Sequence, residues 1–364
     1  MEPVTHLVAG LLTAQALRPA LPPVKSAARG LALLCAVAAT IPDIDSLAGL
    51  LGPEAYLLHH RGITHSLILL PGYALLLAWA ARRLGAVPLL LGWLAAALAL
   101  LSHLYLDVVT TFGTQLFAPF SDARISFEGV FVVDPVFTLA LLGCLLAGRL
   151  CRAKPRRAHA LALCGLGLLL AYPLFGNALR LGMQARYESL LASRGQSHVR
   201  VSIVPDALAP YFWKVVLEDG DELRVTTATP FNIAAPYPVL RLKRLDRAEL
   251  LRLGEQASFF ATYAWFAIHP AERPAEALVE NPANTQIPRE RRFLDAAYVM
   301  TNPVVISLVG SRPGFAECAA SLDHNGRLLA WRDWSGRTHS VPEAGSGPAA
   351  AQAAQPQAAP TPKP

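Results

Sequence analysis

The sequence predicts a polytopic α-helical membrane domain of five to six helices, followed by a smaller α+β extracytoplasmic domain and a disordered C-terminal tail. Hydrophobic residues make up 53% of the chain and charged residues only 16%. Soluble domains contain about 25% charged residues, so this composition argues against an ordinary cytosolic enzyme. Charge is also unevenly distributed, because residues 1–184 hold 13 Lys/Arg and 8 Asp/Glu, whereas residues 185–345 hold 18 of each. Residues 346–364 are mostly Ala, Pro and Gln, a low-complexity composition typical of a disordered tail.

The membrane domain, residues 1–184, is predicted from six apolar segments. They cover residues 5–17, 30–51, 66–81, 86–106, 131–150 and 158–181. A helix that crosses the bilayer needs about 20 apolar residues, so the first segment is short and the third is marginal. Pro42, Pro71 and Pro173 interrupt three of the segments. Membrane helices tolerate such prolines where neighbouring groups or water satisfy the freed carbonyls.

The charges of the connecting segments predict the orientation in the membrane. Residues 18–29, 82–83 and 149–157 contain basic residues and no Asp or Glu, and they follow the first, third and fifth apolar segments. Helix alternation therefore places all three on one side, which the positive-inside rule makes cytoplasmic. The basic excess is thus explained by topology, and we expect no nucleic-acid partner. The sequence predicts a multi-pass protein of a bacterial inner membrane whose domain at residues 185–345 is periplasmic.

Residues 185–345 have the patterns of a water-soluble α+β domain. Residues 199–204 and 213–227 are predicted strands, and the acidic residues 218–222 form the turn of a hairpin. Residues 241–253 and 258–268 are predicted helices. The chain has five cysteines without a CxxC pair, so neither a disulfide framework nor a thiolate zinc site is indicated.

Five polar clusters interrupt the apolar pattern of the membrane domain. They lie at residues 5–10, 41–45, 59–66, 102–121 and 133–135. Five of the ten histidines fall within the first 103 residues, and all five belong to these clusters. On the predicted topology each cluster lies at the external end of its helix. Five separated stretches therefore converge on one face of the membrane.

Histidine and aspartate in such numbers indicate a divalent-metal site, with zinc as the first choice and manganese or iron as alternatives. His103 and Asp107 are four residues apart and share one helix face. Asp43 and Asp45 would diverge on a helix, but Pro42 breaks the helix there. The candidate metal ligands are His6, Asp43, Asp45, His60, His65, His103 and Asp107.

Four other polar groups in these clusters have two interpretations each. His59 and Asp134 are interpreted mainly as capping or hydrogen-bonding groups. Arg61 either binds an anionic substrate or pairs with one of the aspartates. The turn at residues 110–113 either donates hydroxyl groups to a substrate or simply ends a helix.

The motifs TH, PDID, HRGITHS, HLYLDVVTTFGTQLF and the later DP closely resemble the bacterial inner-membrane metal-dependent hydrolase family, which includes LexA-regulated members. The resemblance covers roughly residues 1–180 and extends more loosely to SIVPDALAPYFWKVV at residues 202–216. It implies that the seven candidate residues are the metal ligands. The pattern of an N-terminal His, PD and HxxxD is also similar, more weakly, to zinc-dependent phospholipase C enzymes.

These observations predict a membrane metallohydrolase that uses one or two divalent ions to activate water against an ester or phosphoester. Asp45 or Asp107 is the candidate general base in place of a ligand role, and Arg61 is the candidate group for holding a phosphate. A site at the membrane surface favours a lipid-like or other amphipathic substrate. Two alternatives are a membrane transporter or metal-ion permease, whose sites usually lie near the bilayer midplane, and a non-catalytic membrane scaffold.

Overall fold

The computed structural model describes residues 1–20, 25–84, 87–233, 239–274, 289–310 and 314–341. These residues form two compact units. The helical unit consists of Met1–Ala48, His59–Gly182 and Pro205–Phe212. The sheet unit consists of Gly49–Leu58, Met183–Val204 and the described residues from Trp213 onward. The predicted disordered tail, residues 346–364, lies outside the described residues.

Helices form most of the N-terminal half of the chain. In order they are α1 (Pro3–Leu17), α2 (Lys25–Thr40), α3 (Pro53–His59), α4 (Leu70–Arg83), α5 (Leu89–Val108), α6 (Pro135–Leu150) and α7 (Pro155–Ser193). A 3₁₀ segment, Ile41–Leu51, continues directly from α2, and a short 3₁₀ turn, Ile63–His65, precedes α4.

Within the described residues, three helical stretches are long and apolar enough to cross a membrane: Ser26–Leu51, Leu89–Val108 and Pro155–Ser193. A fourth exists if the pair Pro53–His65 and Leu70–Arg83, bent by 73°, counts as one span. The predicted number of five to six also included α1 and α6. These two helices have 15 and 16 residues, fewer than the roughly 20 that a straight crossing needs.

Small side chains allow the helices of this unit to pack closely, as is typical of membrane helices. Ala39 on α2 and Ala95, Ala96 and Ala99 on α5 are fully buried in one core cluster. Gly10 on α1 lies against α2, where an added Cβ would come within 2.4 Å of the carbonyl oxygen of Cys35. α1 also contacts α5. Large apolar side chains elsewhere on the same helices face outward and remain exposed, as lipid contact requires.

The three prolines noted in the sequence have different effects. Pro42 lies at the start of the 3₁₀ segment, where the α-helix ends. Pro71 falls in the first turn of α4, a position that needs no backbone donor. Pro173 lies inside α7, which continues through it.

The described part of the sheet unit contains one nine-stranded sheet whose strands follow one another in chain order. The strands are β1 (Arg200–Pro205), β2 (Trp213–Asp219), β3 (Glu222–Ala228), β4 (Leu240–Arg244), β5 (Pro270–Arg273), β6 (Arg289–Asp295), β7 (Cys318–Leu322), β8 (Leu328–Arg332) and β9 (Thr338–Ser340). From β2 to β9 every neighbouring pair is antiparallel. The helices α8 (Arg247–Gly254), α9 (Ser258–Phe266) and α10 (Pro303–Val309) belong to the same unit.

The sequence located the first strands of this unit correctly. The predicted hairpin is formed by β2 and β3, which turn at Gly220 within the acidic segment. The helix predicted at residues 241–253 was wrong in its first part, because Leu240–Arg244 is β4. Leu242 is buried between the exposed Arg241 and Lys243, a two-residue alternation that fits a strand. The helix begins only after Asp246, whose carboxylate caps it by accepting a bond from the amide of Ala248.

Candidate metal centre

All seven candidate ligands lie in the helical unit and come together at the ends of its helices. His6 is on α1, and His103 and Asp107 are on the last turns of α5. Asp43 and Asp45 are on the 3₁₀ segment, His60 follows α3, and His65 ends the short 3₁₀ turn. The side chains of His6, His65, His103 and Asp107 are completely buried.

The centre of the cluster is formed by two imidazoles and one carboxylate. The Nε2 atoms of His65 and His103 are 3.0 Å apart. Asp107 Oδ2 lies 3.0 Å from His65 Nε2 and 3.3 Å from His103 Nε2. The spacing of four residues on α5 therefore brings His103 and Asp107 to one point, and His65 reaches the same point from another segment.

His6 and Asp43 complete this group. His6 Nε2 lies 3.3 Å from Asp107 Oδ1, and the rings of His6 and His103 stack with centroids 3.9 Å apart. Asp43 Oδ1 is 3.8 Å from His65 Nε2 and 3.6 Å from His103 Nε2. The Asp43 side chain is 22% exposed, in contrast to the other four. The cluster is therefore buried on most sides and open beside Asp43.

Hydrogen bonds on the outer nitrogens determine which way the two central imidazoles face. His103 Nδ1 is 2.7 Å from the carbonyl oxygen of Ala39, which can only accept a hydrogen bond. His65 Nδ1 is 3.0 Å from Asp45 Oδ2. Each Nδ1 therefore has an oxygen acceptor, and with its proton on Nδ1 each imidazole presents an Nε2 lone pair to the other ring and to Asp107. A cation placed between these atoms would be bound by both lone pairs and by the carboxylate.

A divalent ion fits these residues by two further criteria. Neither ring nitrogen of the buried His6 makes a hydrogen bond to any described residue, and neither does Asp107 Oδ2. Such unsatisfied buried groups are costly, and a bound ion would satisfy them. Ligand atoms around a tetrahedral zinc, bonded at roughly 2.0–2.1 Å, are about 3.3 Å apart. The distances of 3.0–3.8 Å between the converging atoms are of this size.

Two sets of side chains in the described chain have ligand atoms close enough to share an ion. The first is His6, Asp43, His103 and Asp107, and the second is Asp43, Asp45 and His60. Asp43 belongs to both sets. His60 Nδ1 lies 2.7 Å from Asp45 Oδ1, and both side chains are slightly exposed. The second set is therefore on the more open side of the cluster.

Asp45 is held by several donors at once. Its Oδ2 accepts bonds from the backbone amide of Arg61 at 3.0 Å and from the hydroxyl of Thr64 at 2.5 Å. It also contacts His60 and His65, as described above. The carboxylate thereby orders both imidazoles and the loop between them.

Arg61 is buried and pairs with Asp107. Its Nη2 is 3.0 Å from Asp107 Oδ1, and its Nη1 donates to the Asp107 carbonyl at 3.0 Å and to the Thr110 hydroxyl at 2.8 Å. The side chain is only 3% exposed. Of the two interpretations of Arg61, the geometry supports pairing with a carboxylate. The hydroxyl of Thr110 also donates to the carbonyl of Asp107, so it hydrogen-bonds the last turn of α5.

The two groups interpreted as capping residues lie outside both ligand sets. Asp134 caps α6 by accepting a bond from the amide of Phe137, and it accepts a second bond from the hydroxyl of Tyr172. His59 is exposed at the end of α3. Sequence reasoning missed Thr64 and the Ala39 carbonyl. The position of Thr64 directly before His65 was a weak signal for that hydroxyl. A backbone carbonyl such as that of Ala39 leaves no signal in a sequence.

The fold and the cluster together define a multi-pass membrane protein with a buried His/Asp group that could hold a metal ion. Residues 1–179 belong to the YdjM inner membrane protein family, whose model they match. This match confirms the family of membrane proteins that the motifs indicate, and it identifies an inner-membrane, multi-pass protein.

A curated relative from Bacillus subtilis adds a second comparison. The chain is 25% identical over 154 residues to the protein YfhP of Bacillus subtilis (strain 168), which is described as uncharacterized. The match covers 40% of this chain and 45% of YfhP, so it spans less than half the length of that relative. No solved structure gives a significant match.

Proposed function

We propose that this protein is an integral-membrane metal-dependent hydrolase that acts on an ester or phosphoester. The observation that carries the proposal is the convergence of His65 Nε2, His103 Nε2, Asp107 and His6 in a buried cluster that is open beside Asp43. Catalytic metal sites combine such nitrogen and oxygen ligands with one open position. The membership of residues 1–179 in an inner-membrane family supports the location.

In this proposal the first ligand set, His6, Asp43, His103 and Asp107, holds the ion, with zinc as the first choice. His65, whose Nε2 lies 3.0 Å from Asp107 Oδ2, is added to that set by this proposal. A bound divalent ion supplies a water of lowered pKa and polarises the scissile bond. Arg61, which the sequence suggested as the group that holds a phosphate, is assigned here a different role, as a positioning residue that orients Asp107. Such outer partners fix the direction of a metal ligand.

Asp45 and His60 form the pair that accepts a proton in this proposal. Asp45 orients His60 through its Nδ1, and Nε2 is the nitrogen that this proposal assigns as the base. Both side chains lie nearer the solvent than Asp107, which is completely buried. A content of two ions per chain would instead assign Asp43, Asp45 and His60 to a second ion.

A panel of ester and phosphoester substrates, with amphipathic and lipid-like members, tests this function on the full chain in detergent. We expect turnover that stops after removal of metal by a chelator and returns on addition of Zn²⁺. Comparison of the turnover restored by Zn²⁺, Mn²⁺ and Fe²⁺ identifies the preferred ion. Absence of turnover in a metal-loaded protein across the panel would contradict a hydrolase.

A metal-ion permease is the second candidate because two helices are broken at the cluster. The α-helical part of the first span ends at Thr40, just before Asp43, and the bend of 73° follows His65. Transporters place ion sites at such discontinuous helices. Uptake of Zn²⁺ into proteoliposomes without hydrolysis would favour this candidate, whereas hydrolysis without uptake supports ours.

We propose that the sheet unit is periplasmic, because the connections rich in arginine and lysine would then be cytoplasmic. Fusions of alkaline phosphatase, which is active only outside the cytoplasm, after Arg83 and after Ser340 test this orientation. We expect the second fusion to be active and the first inactive, and green fluorescent protein fusions at the same points to give the opposite pattern. Equal activity at both points would contradict the orientation and the external site.

Replacement of Arg61 separates its two interpretations. Because the guanidinium makes three contacts with Asp107 and Thr110, we expect Arg61→Ala to lower metal affinity by about 10-fold or more. Arg61→Lys keeps the positive charge but loses the planar guanidinium with its several donors, and it should lower metal affinity less than Arg61→Ala does. The measurement is Zn²⁺ binding in competition with a chelator. Unchanged metal affinity with a raised KM for anionic substrates would instead show that Arg61 binds substrate.

A further inference from the structure

A second guanidinium, that of Arg124 on the loop between α5 and α6, contacts the same aromatic ring as Arg61. Arg124 Cζ is 4.9 Å from the centroid of the Phe112 ring, and Arg61 Cζ is 5.0 Å from the same centroid. The His60 ring centroid is 5.2 Å from Phe112. One aromatic ring is therefore in contact with both arginines and with a histidine of the second ligand set.

Backbone pairing holds this part of the loop in place. Thr114 and Ile125 exchange two backbone hydrogen bonds of 2.9 and 3.0 Å. Gly113 has a φ of 80°, and a Cβ there would lie 3.1 Å from Arg124 Cβ. Glycine is thus required for the approach of the two segments. The amide of Gln115 also donates to the carbonyl of Arg61, which ties the same loop to the HRGITHS segment.

The two arginines differ in their environment. Arg61 is almost completely buried against Asp107, whereas Arg124 is half-buried. Arg124 contacts the same ring as His60, which belongs to the more open side of the centre. Residues 109–130 contain no other basic residue. Arg124 therefore places a positive charge one aromatic ring away from His60, a member of the second ligand set.

We propose that Arg124 binds an anionic group of the substrate that does not react, and that the substrate class is an amphipathic ester or phosphoester with this second, phosphate-like or carboxylate charge. The inference rests on the proposed function. A guanidinium offers two parallel donors that match a carboxylate or phosphate. Binding energy from such a remote group holds the scissile bond in position.

A matched pair of ligands tests the inference without turnover. Hexylphosphonate carries a metal-binding phosphonate on an apolar chain, and its ω-carboxylated counterpart adds one anion at the far end. Calorimetry on the full chain loaded with Zn²⁺ compares their affinities in wild type, Arg124→Gln and Arg124→Lys. Arg180→Gln is the control, because Arg180 pairs with Glu128 at 3.4 Å and belongs to neither ligand set.

We expect wild type and Arg180→Gln to bind the carboxylated ligand about 10-fold more tightly than hexylphosphonate. Arg124→Gln should bind both equally, with unchanged metal content, and Arg124→Lys should retain part of the preference. A wild-type protein without the preference, or an Arg124→Gln protein that retains it, would overturn the inference. If the carboxylate preference depends on Arg124 but the protein hydrolyses none of the substrates, the anion-binding role of Arg124 is supported and the proposed hydrolase function is contradicted.

A third arm identifies the source of the anion. The binding measurement is repeated in micelles that contain phosphatidylglycerol and, separately, in micelles with added inorganic phosphate. Competition by the lipid alone, seen in wild type and lost in Arg124→Gln, assigns the anion to a lipid headgroup. Competition by inorganic phosphate assigns it to a soluble substrate. Competition by neither, together with equal binding of both phosphonates, counts against the proposal.

Discussion

His103→Ala is expected to abolish metal binding and turnover while the protein still inserts into the membrane. His103 Nε2 lies 3.0 Å from His65 Nε2 and 3.3 Å from Asp107 Oδ2. Its removal takes away one of the nitrogen ligands at the centre of the cluster. Loss of an outer partner of a metal ligand costs about 10–100-fold, and loss of the ligand itself should exceed this range. The measurements are zinc content of the purified protein and kcat/KM on the best substrate of the panel.

Two matched controls accompany this variant. His159→Ala changes a histidine on α7 that belongs to neither ligand set. Asp134→Asn changes a buried carboxylate, but asparagine caps a helix as well as aspartate does. We expect both controls to keep their zinc and their activity. A His103→Ala protein with full zinc content would show that this histidine is only a core residue.

Asp45→Asn should weaken zinc binding by about 10–100-fold, the range for an outer partner. Asparagine directs an amide donor toward His60 or His65, where the carboxylate accepts bonds from both rings. The imidazole of His65 would then lose the contact that keeps its proton on Nδ1. Titration with Zn²⁺ against a competing chelator measures the change, and excess Zn²⁺ should restore occupancy.

The outcome also separates the roles available to Asp45. If excess Zn²⁺ restores the metal occupancy of Asp45→Asn but not its turnover, the result supports the proposal that Asp45 and His60 together accept a proton. Loss of one of two ions would show that Asp45 is a direct ligand in the second set. Unchanged affinity and turnover would contradict any role for Asp45 in the centre.

The sequence predicted much of the cluster because helix periodicity and membrane topology constrain it strongly. The spacing of His103 and Asp107 placed both on one face of α5, and the structure has them 3.3 Å apart. Charge in a membrane segment is expensive, so the histidines and aspartates at helix ends stood out from an apolar background. The same contrast indicated the family of inner-membrane proteins to which residues 1–179 belong.

Other features depended on contacts that no local pattern encodes. Asp43 and Asp45 can reach the centre together only because α2 gives way to a 3₁₀ segment. The loop from His60 to His65 contains Arg61 at a φ of 60°, a conformation that its sequence does not specify. The wrong helix at the start of residues 241–253 arose in the same way, because pairing with β3 overrides the helix-forming tendency of Arg241 and Leu242.

Elemental analysis of the purified full chain, wild type beside a combined Asp43→Ala, His103→Ala, Asp107→Ala variant, shows whether this cluster holds a metal ion. The three replaced side chains belong to the first ligand set and come from two separate segments of the helical unit. A metal centre in this cluster predicts one divalent ion per wild-type chain and none in the variant, with both proteins present in the membrane at similar levels. A variant that retains the full wild-type metal content, or a wild-type chain that binds no divalent ion even after Zn²⁺ is supplied, would contradict it.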